Sequence, residues 1–234
     1  FRRILEIFFK TCLMESEYSI RKATIKDVDF LAEVIIGAEK SLTNNLGIAN
    51  FFELTEEKVK ELIIAMLEEE VDGCDFSISS FFIAFYGDKP VGALGGWIEG
   101  YFDGMSSNVL KSNLISFNFP KENLQKAQGK MDMIQEMLHI ERPMGTYQLE
   151  YVYVDSDHRG KRITQQLMDV HLAYAKQLDP NVTKAQLSCF ENNESIIRAH
   201  ERNGYQRIKR YVCDNEDILK YLPFNVKVLL EKTF

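Results

Sequence analysis

The chain has 234 residues, 45% of them hydrophobic, and a formal net charge of −7. Its length and apolar content predict one large domain, or one domain with a sizeable insertion. The acidic balance argues against a protein that coats nucleic acid or an anionic membrane surface, and it is compatible with a cationic partner such as an amine.

The four cysteines and four histidines are scattered, without the CxxC or HExxH spacing of common metal sites. We therefore expect no metal, and we interpret the cysteines as reduced thiols of a cytoplasmic protein. Cys189 ends a predicted strand, and we expect it to be a buried apolar residue rather than a nucleophile. No run approaches 18 apolar residues, so the sequence predicts no transmembrane helix.

Residues 1–13 are basic and apolar, and Met14 follows them. They lack the small-residue cleavage site of a signal peptide. We expect an N-terminal extension at 1–13 and a single domain at 14–234. Either Met14 is the natural start and the extension derives from an upstream start or an artificial addition, or the extension is an amphipathic helix packed on the domain.

The predicted elements begin with a short alternating strand at Tyr18. Thr24 is placed to cap a helix, and Asp27 completes a capping box with it. Apolar residues at helical spacing follow from Val28, and Thr55 opens another helix. The first third of the chain therefore predicts a strand followed by two helices.

A hairpin and an irregular segment come next. Phe76–Tyr86 and Val91–Ile98 are predicted strands, joined by a Gly-Asp-Lys-Pro turn. Residues 100–146 interrupt the pattern with an expected insertion of two or three helices, the last of them spanning Leu124 to Leu138. We expect this insertion to shape a substrate site or an oligomer contact such as a homodimer interface, with plain helical packing as the alternative.

The final third alternates strands and helices. Gln148 to Val154 is a strand, a helical stripe runs on from Arg159, and Glu194 to Arg202 is a helix that Asn203-Gly204 ends. The remaining predicted strands are Ala185 to Cys189, Tyr205 to Val212 and Val226 to Leu230. This order predicts an α/β fold of mixed α+β type, with a central, mostly antiparallel twisted sheet of about six to seven strands and helices on both faces.

The most informative stretch runs from Tyr151 to Leu167, where a strand ends and a helix begins. The first turn of a helix leaves backbone N–H groups unpaired, and the helix dipole adds positive potential there. Arg159, Lys161 and Arg162 supply cations in the same turn. The sequence therefore predicts a site for a phosphate-bearing ligand. A dinucleotide-binding domain is a poor alternative, because no GxGxxG motif follows an early strand.

Four blocks of the chain resemble the GNAT superfamily of acyl-CoA-dependent N-acetyltransferases. They are the opening strand and helix start at Tyr18–Asp27, the hairpin at Gly87–Gly92, the loop at Arg159–Thr164, and the last helix with its Gly-aromatic end at Glu191–Tyr205. The resemblance covers residues 18–98 and 148–234. It implies the acyl-CoA N-acyltransferase fold and acetyl-CoA as cosubstrate.

The resemblance also implies the cofactor-binding residues. Loop residues would bind the pyrophosphate, the backbone of Val152–Val154 would bind pantetheine where two strands splay apart, and Asn193 would contact the pantetheine arm or serve only as a helix cap. The loop departs from the family pattern, because Arg162 and Thr164 occupy positions where small residues are usual. The expected cofactor-binding residues are Val152, Tyr153, Val154, Arg159, Gly160, Lys161, Arg162, Ile163, Thr164 and Asn193.

The catalytic residues are less clearly implied. His200 stands where many family members have a tyrosine that protonates the departing thiolate, and a free histidine is protonated only roughly a quarter of the time at pH 7. If His200 is the acid, activity falls as the pH rises through its pKa; otherwise His200 is an ordinary helix residue. Glu150 is the candidate base, on the same strand face as Val152 and Val154 by alternation, or a surface residue in a salt bridge.

The resemblance thus implies an N-acetyltransferase in which a small-molecule or peptide amine attacks the thioester of acetyl-CoA directly. The alternative is a CoA-binding regulatory or structural module without catalysis, which the altered loop and His200 both favour. We expect no nucleic-acid or membrane partner.

Overall fold

The computed structural model describes residues 17–138 and 140–234, so the extension predicted at 1–13 lies outside the described residues. A seven-stranded sheet forms its centre. The strands are β1 (Tyr18–Lys22), β2 (Phe81–Tyr86), β3 (Lys89–Ile98), β4 (Tyr147–Val154), β5 (Lys184–Phe190), β6 (Gln206–Val212) and β7 (Val226–Thr233).

The strands lie in the spatial order β1-β2-β3-β4-β5-β7-β6. Every neighbouring pair is antiparallel except β4 and β5, which run parallel. The predicted mixed, mostly antiparallel sheet is therefore confirmed.

Helices cover both faces of this sheet, as predicted. The α-helices of the described residues are α1 (Val28–Lys40), α2 (Gly47–Phe52), α3 (Glu56–Glu68), α4 (Ser107–Asn118), α5 (Lys121–Gln128), α6 (Met131–Leu138), α7 (Ile163–Leu178) and α8 (Glu194–Arg202). One apolar core lies between the sheet and α1, α3 and α4, and a second lies between the opposite face and α7 and α8.

Local chemistry explains the helix starts. Thr24 and Asp27 form the predicted capping box, and Arg21 donates two hydrogen bonds of 2.8 Å to Asp27. A short 3-10 turn at Ile25–Asp27 precedes α1. Thr55 caps α3 by accepting from the backbone of Lys58. These caps place α1 across the sheet, with its last turn beside β4.

Three local predictions differ from the structure. β2 begins at Phe81 rather than Phe76, because Ile78–Ser80 forms a 3-10 turn in which serine hydroxyls bond to the nearby backbone. The short helix α2 has no strong apolar period and was not anticipated. The single helix expected from Leu124 to Leu138 is two helices, because the chain breaks at Gly129.

A β-bulge interrupts the alternation of β4. Gly95 pairs with Glu150 and Ala93 pairs with Tyr153, so Leu94 faces two residues of β4 instead of one. Tyr151, at the bulge, has a φ of 56°. Its side chain joins the core on the α1 face, whereas Val152 packs on the α7 face.

The bulge corrects the predicted placement of Glu150. Alternation puts Glu150 opposite Leu149, whose side chain is in the α7-side core, and the extra residue then puts Val152 and Val154 on that α7 face as well. Glu150 therefore shares the α1 face with Tyr151 and Tyr153, not the face of the valines. The error arose because alternation assumes that no residue is inserted in the strand.

Beyond the bulge, β4 and β5 separate. They pair only where Tyr147–Leu149 lies beside Ala185–Leu187. Past this point β4 stays with β3, and β5 stays with β7. Because a bulge bends and twists its strand, the extra residue helps to turn β4 away from its neighbour. The result is a wedge-shaped gap through the sheet, between residues 150–154 and 188–190.

Candidate active site

The gap opens into a cavity of about 830 Å³. Its walls are the end of α1 and the following loop, the bulged part of β4, the loop before α7, the end of β5, and α8. We call its two parts the loop end, lined by Val154, Arg159, Gly160, Arg162 and Thr164, and the carboxylate end, lined by Glu39, Glu150, Ser188 and Lys227.

The loop end presents unpaired backbone donors. Asp155 N–H anchors the loop by bonding to the Val91 carbonyl at 2.8 Å, and a 3-10 turn at Ser156–His158 leads to α7. From Gly160 to Gln165 the backbone N–H groups have no hydrogen-bond partner within the described chain. Together with the helix dipole they make a concave site for an anion.

The cations of the loop are free to meet such an anion. Arg159 bonds only to the Val154 carbonyl, at 3.2 Å, and none of Arg159, Lys161 and Arg162 has an acidic partner among the described residues. Arg159 and Arg162 line the cavity, whereas Lys161, in the same turn, does not. Of the expected cations, two therefore lie at the site.

Arg162 adopts a backbone conformation that favours glycine. Its φ and ψ are 61° and 21°, in the left-handed region, at the N-cap of α7. Gly160 is also left-handed, with a φ of 77°, and nothing lies within 4 Å of the position a Cβ would take. The loop therefore has two left-handed positions, and the one at Arg162 carries backbone strain that a glycine would avoid.

Packing on the far side steadies this loop. The Tyr18 hydroxyl lies 3.0 Å from His158 Nδ1, and the His158 ring meets the rings of Tyr18 and Tyr86. Lys89 pairs with Asp155 at 3.2 Å. Strands β1 to β3 therefore hold the loop against the start of α7.

The remaining expected cofactor-binding residues also lie around the gap. Val152, Tyr153, Ile163 and Asn193 line the cavity. Asn193 is at the same time the N-cap of α8, where its side chain accepts from the backbone of Ile196. The capping alternative is thus observed, and it leaves Asn193 at the cavity wall.

His200 is not brought to the cavity. Its side chain is 2% exposed, its ring centroid lies 5.8 Å from that of Tyr205, and its Nδ1 has no partner. Burial lowers the pKa of His200 to about 4, so the imidazole is neutral at pH 7. Ala199 of α8 and the C-cap residue Asn203 line the cavity instead.

Glu150 lines the cavity but is already paired. Its Oε1 accepts from Arg142 at 2.7 Å and lies 3.5 Å from the Ser188 hydroxyl. Arg142, from the segment before β4, also donates to the Ser107 hydroxyl of α4 at 3.1 Å. The salt bridge considered as the alternative role is therefore present, at the cavity wall rather than on an open surface.

Behind this wall lies a buried network that sequence reasoning missed. Asp75 accepts from Lys111 at 2.6 Å, and the Tyr151 hydroxyl lies 3.4 Å from Asp75 and 3.3 Å from Glu39. Burial alone would raise the pKa of Asp75, but attraction to Lys111 and Arg142 outweighs it and lowers the pKa. Burial, reinforced by Asp75, raises the pKa of Tyr151 well above its usual range, so its hydroxyl stays protonated.

Weak sequence signals could have indicated two residues of the carboxylate end, Glu39 and Lys227. Glu39 stands in the last turn of α1, where the helix dipole disfavours a carboxylate. Lys227 interrupts the apolar first half of β7, between Val226 and Val228. Cys189 also lines the cavity, and burial raises the pKa of its thiol to about 12, which is consistent with an inert apolar residue.

Among the described residues, no group of three or more His, Cys, Asp or Glu side chains is close enough together to hold a metal ion. None of the described helices is long and apolar enough to cross a bilayer.

Comparison with solved structures shows the fold. The chain is similar to an N-acetyltransferase from Staphylococcus aureus Mu50, with a TM-score of 0.61, 16% identity, and 91% of this chain and 99% of that chain covered. It is similar to a variant of agmatine N-acetyltransferase in its apo form, with a TM-score of 0.56, 14% identity, and 93% and 100% covered. It is also similar to PaiA N-acetyltransferase from Thermoplasma acidophilum in complex with coenzyme A, with a TM-score of 0.51, 14% identity, and 93% and 99% covered.

No curated protein is significantly similar in sequence. A family model does match: the model of the Acetyltransferase (GNAT) family covers residues 49–205, which hold most of the sheet, the loop before α7, and α8. The bulged part of β4, the end of β5 and the free N-terminus of α7 fall within that range, whereas Glu39 and Lys227 of the cavity wall lie outside it. The chain therefore belongs to the GNAT family of acetyltransferases.

Proposed function

We propose that this acyltransferase takes an acetyl group from acetyl-CoA and transfers it to the primary amine of a small molecule or peptide. The observation that carries the proposal is one continuous cavity that joins a free helix N-terminus to a gap in the sheet. The CoA bound to the PaiA structure supports the same donor. The free thiols of Cys74 and Cys189 support a cytoplasmic location.

The loop end fits the phosphates of the donor. The N–H groups of Gly160 to Gln165 and the side chains of Arg159 and Arg162 would bind the pyrophosphate. The β4 edge at Val152–Val154 would bind the amide groups of pantetheine, since β5 leaves that edge open. When bound, the donor supplies an activated thioester.

The carboxylate end fits the acceptor. An amine has to lose its proton before attack, and its usual pKa is about 10. Glu39, which has no cationic partner in the described chain, is better placed for that task than Glu150, which Arg142 already holds. A backbone N–H at the bulge, near Val152, would stabilise the oxyanion that the attack creates.

The leaving thiolate needs little help. A thiol has a pKa of about 8.5, so its anion departs far more readily than an alkoxide or an amide would. Loss of an acid at position 200 is therefore compatible with turnover. The placement of His200 away from the cavity nevertheless favours, as the second candidate, a module that binds CoA without catalysis.

Binding and turnover separate the two candidates. We expect acetyl-CoA and CoA, but not ATP or NAD, to raise the melting temperature, and we expect acetyl-CoA with a panel of amines to release free thiol. Donor binding without thiol release for any amine would favour the second candidate. Absence of binding at millimolar acetyl-CoA would contradict both.

The loop arginine provides the first test variant. Removing the charged hydrogen bonds of Arg159 with Arg159→Ala should weaken acetyl-CoA binding by about tenfold to a hundredfold. Isothermal titration calorimetry would measure this. Lys58→Ala, which removes an exposed cation of α3, is the control and should leave the affinity unchanged. Equal affinities for the two variants would rule out Arg159 as a phosphate ligand.

A further inference from the structure

Lys227 lies on β7, in register with Phe190 at the end of β5. Its ammonium stands 4.7 Å above the centre of the Phe190 ring, and its side chain lines the carboxylate end of the cavity. Phe190 ends the strand that β4 leaves, so Lys227 borders the gap itself. No expected catalytic or cofactor-binding role uses it.

Apart from the Phe190 ring, the ammonium of Lys227 has no partner in the described part of the chain. It makes no ion pair and no hydrogen bond there. Burial lowers the pKa of Lys227, and the attraction of Glu39 and Glu150 only partly offsets this effect, while Lys111 and Arg142 repel the charge. A half-buried cation without a counter-ion is costly, and a bound anion would remove that cost.

The neighbouring acids are not substitutes for such an anion. Glu150 is held by Arg142 at 2.7 Å. Glu39 accepts from the Tyr151 hydroxyl at 3.3 Å and lies beyond ion-pair distance of Lys227. The carboxylate end therefore offers a ligand one unpaired cation and one unpaired carboxylate among the described residues that line it.

We propose that the acceptor carries an anionic group as well as its amine, with Lys227 binding the anion and Glu39 receiving the ammonium. This inference rests on the proposed function, because it assumes that the carboxylate end holds the acceptor. A carboxylate or a phosphate would satisfy the lysine, so amino acids and phosphorylated amines are the two sources. A diamine would instead bring a second positive charge to Lys227.

Matched acceptors test this directly. Thiol release from acetyl-CoA would be measured for β-alanine against propylamine, for phosphoethanolamine against ethanolamine, and for putrescine. We expect the anionic member of at least one pair to exceed its neutral partner in kcat/KM by about tenfold or more. The pair that shows the larger ratio identifies the carboxylate or the phosphate as the anion.

Two variants assign the preference to its residue. Lys227→Met should abolish the ratio by raising the acceptor KM, with the acetyl-CoA KM unchanged. Lys232→Met is the matched control, because Lys232 lies on the same strand and also stands over an aromatic ring, that of Tyr205 at 5.9 Å, but does not line the cavity. A ratio that persists in Lys227→Met, or a wild-type preference for putrescine, would overturn the proposal.

A binding experiment keeps the inference separate from the proposed function. Titration of N-acetyl-β-alanine and N-acetyl-phosphoethanolamine into the CoA-saturated protein reports on the anion site even if no amine is turned over. Binding that Lys227→Met abolishes and Lys232→Met retains supports the site. Equal binding by both variants, no binding of either ligand, or acetylation of Lys227 itself on intact-mass analysis would refute it.

Discussion

At the loop end of the cavity the ligand-binding groups are backbone N–H groups and arginine side chains, whereas at the carboxylate end they are the side chains of Glu39 and Lys227, which stand beside buried ion pairs. The loop end comes from one continuous segment, residues 154–165. The carboxylate end is assembled from α1, β4, β5 and β7. We therefore expect the loop end to tolerate substitution of its side chains, and the carboxylate end to depend on each of its side chains.

This contrast predicts the largest effect at the buried network. Lys111→Met leaves the carboxylate of Asp75, which is 2% exposed, without its counter-ion, and one Asp75 oxygen already lacks a partner. Breaking a buried pair from one side costs about 3–5 kcal/mol of unfolding free energy. Urea unfolding would measure the loss.

The double variant Asp75→Asn/Lys111→Met should recover much of that stability, because it removes the stranded charge. Lys58→Met, which breaks the exposed pair with Glu61, should cost less than about 1 kcal/mol. Similar losses for the two single variants would show that the network contributes no more than a surface ion pair.

The second prediction concerns pH, and it makes a more specific statement about the free energy of unfolding than about the rate of acetyl transfer. Burial lowers the pKa of both His171 and His200 to about 4, whereas an unfolded histidine titrates near 6.5. Below pH 6.5 these histidines bind protons in the unfolded chain but not in the folded chain. The free energy of unfolding therefore has its full value above that pH and decreases as the pH falls to about 4. Between pH 7 and pH 5 each histidine should lower the free energy of unfolding by about 2 kcal/mol.

Unfolding of wild type and His200→Phe at several pH values would check this. The variant should show the smaller loss between pH 7 and pH 5, and the two pH profiles should run parallel above pH 7. The rate of any acetyl transfer should show no limb from His200 between pH 6 and pH 9. A limb that disappears in His200→Phe would restore the histidine as the acid.

The smallest effect is expected at the loop end. Arg162→Gly relieves the left-handed backbone and should stabilise the fold by up to about 1 kcal/mol. Arg159→Gly is the matched change at an ordinary φ of −67°, and it should destabilise instead. Thermal unfolding would compare them. If Arg162→Gly is more stable than the wild type but binds acetyl-CoA more weakly, Arg162 contacts phosphate and its strained backbone is retained because of that contact.

The two ends also differ in how far the sequence predicts them. Helix α8 is predicted residue for residue, because its cap at Asn193 and its Gly204 stop are local signals. The free N–H groups before α7 follow from the strand-to-helix order in the same way. Where a few neighbouring residues determine the structure, pattern and chemistry are sufficient.

The carboxylate end could not be predicted by such means. The contact of Tyr151 with Glu39 spans 112 positions of the chain, and no periodicity connects them. The predicted face of Glu150 was wrong because one inserted residue at Tyr151 reverses the alternation. A tyrosine in the sequence does not indicate a positive φ. The acid role of His200 was inferred from its position in the family motif. That position does not indicate whether the side chain is buried or lines the cavity.

The short ladder between β4 and β5 has a mechanical consequence. It joins a four-stranded half of the sheet, β1 to β4, to a three-stranded half, β5 to β7, through pairing at only three positions. Each half is held by longer antiparallel ladders, so this seam has the fewest paired positions of any two neighbouring strands in the sheet. A ligand bound in the gap would contact both halves of the sheet and link them across the seam. Ligand binding in the cavity would therefore make the whole sheet more rigid.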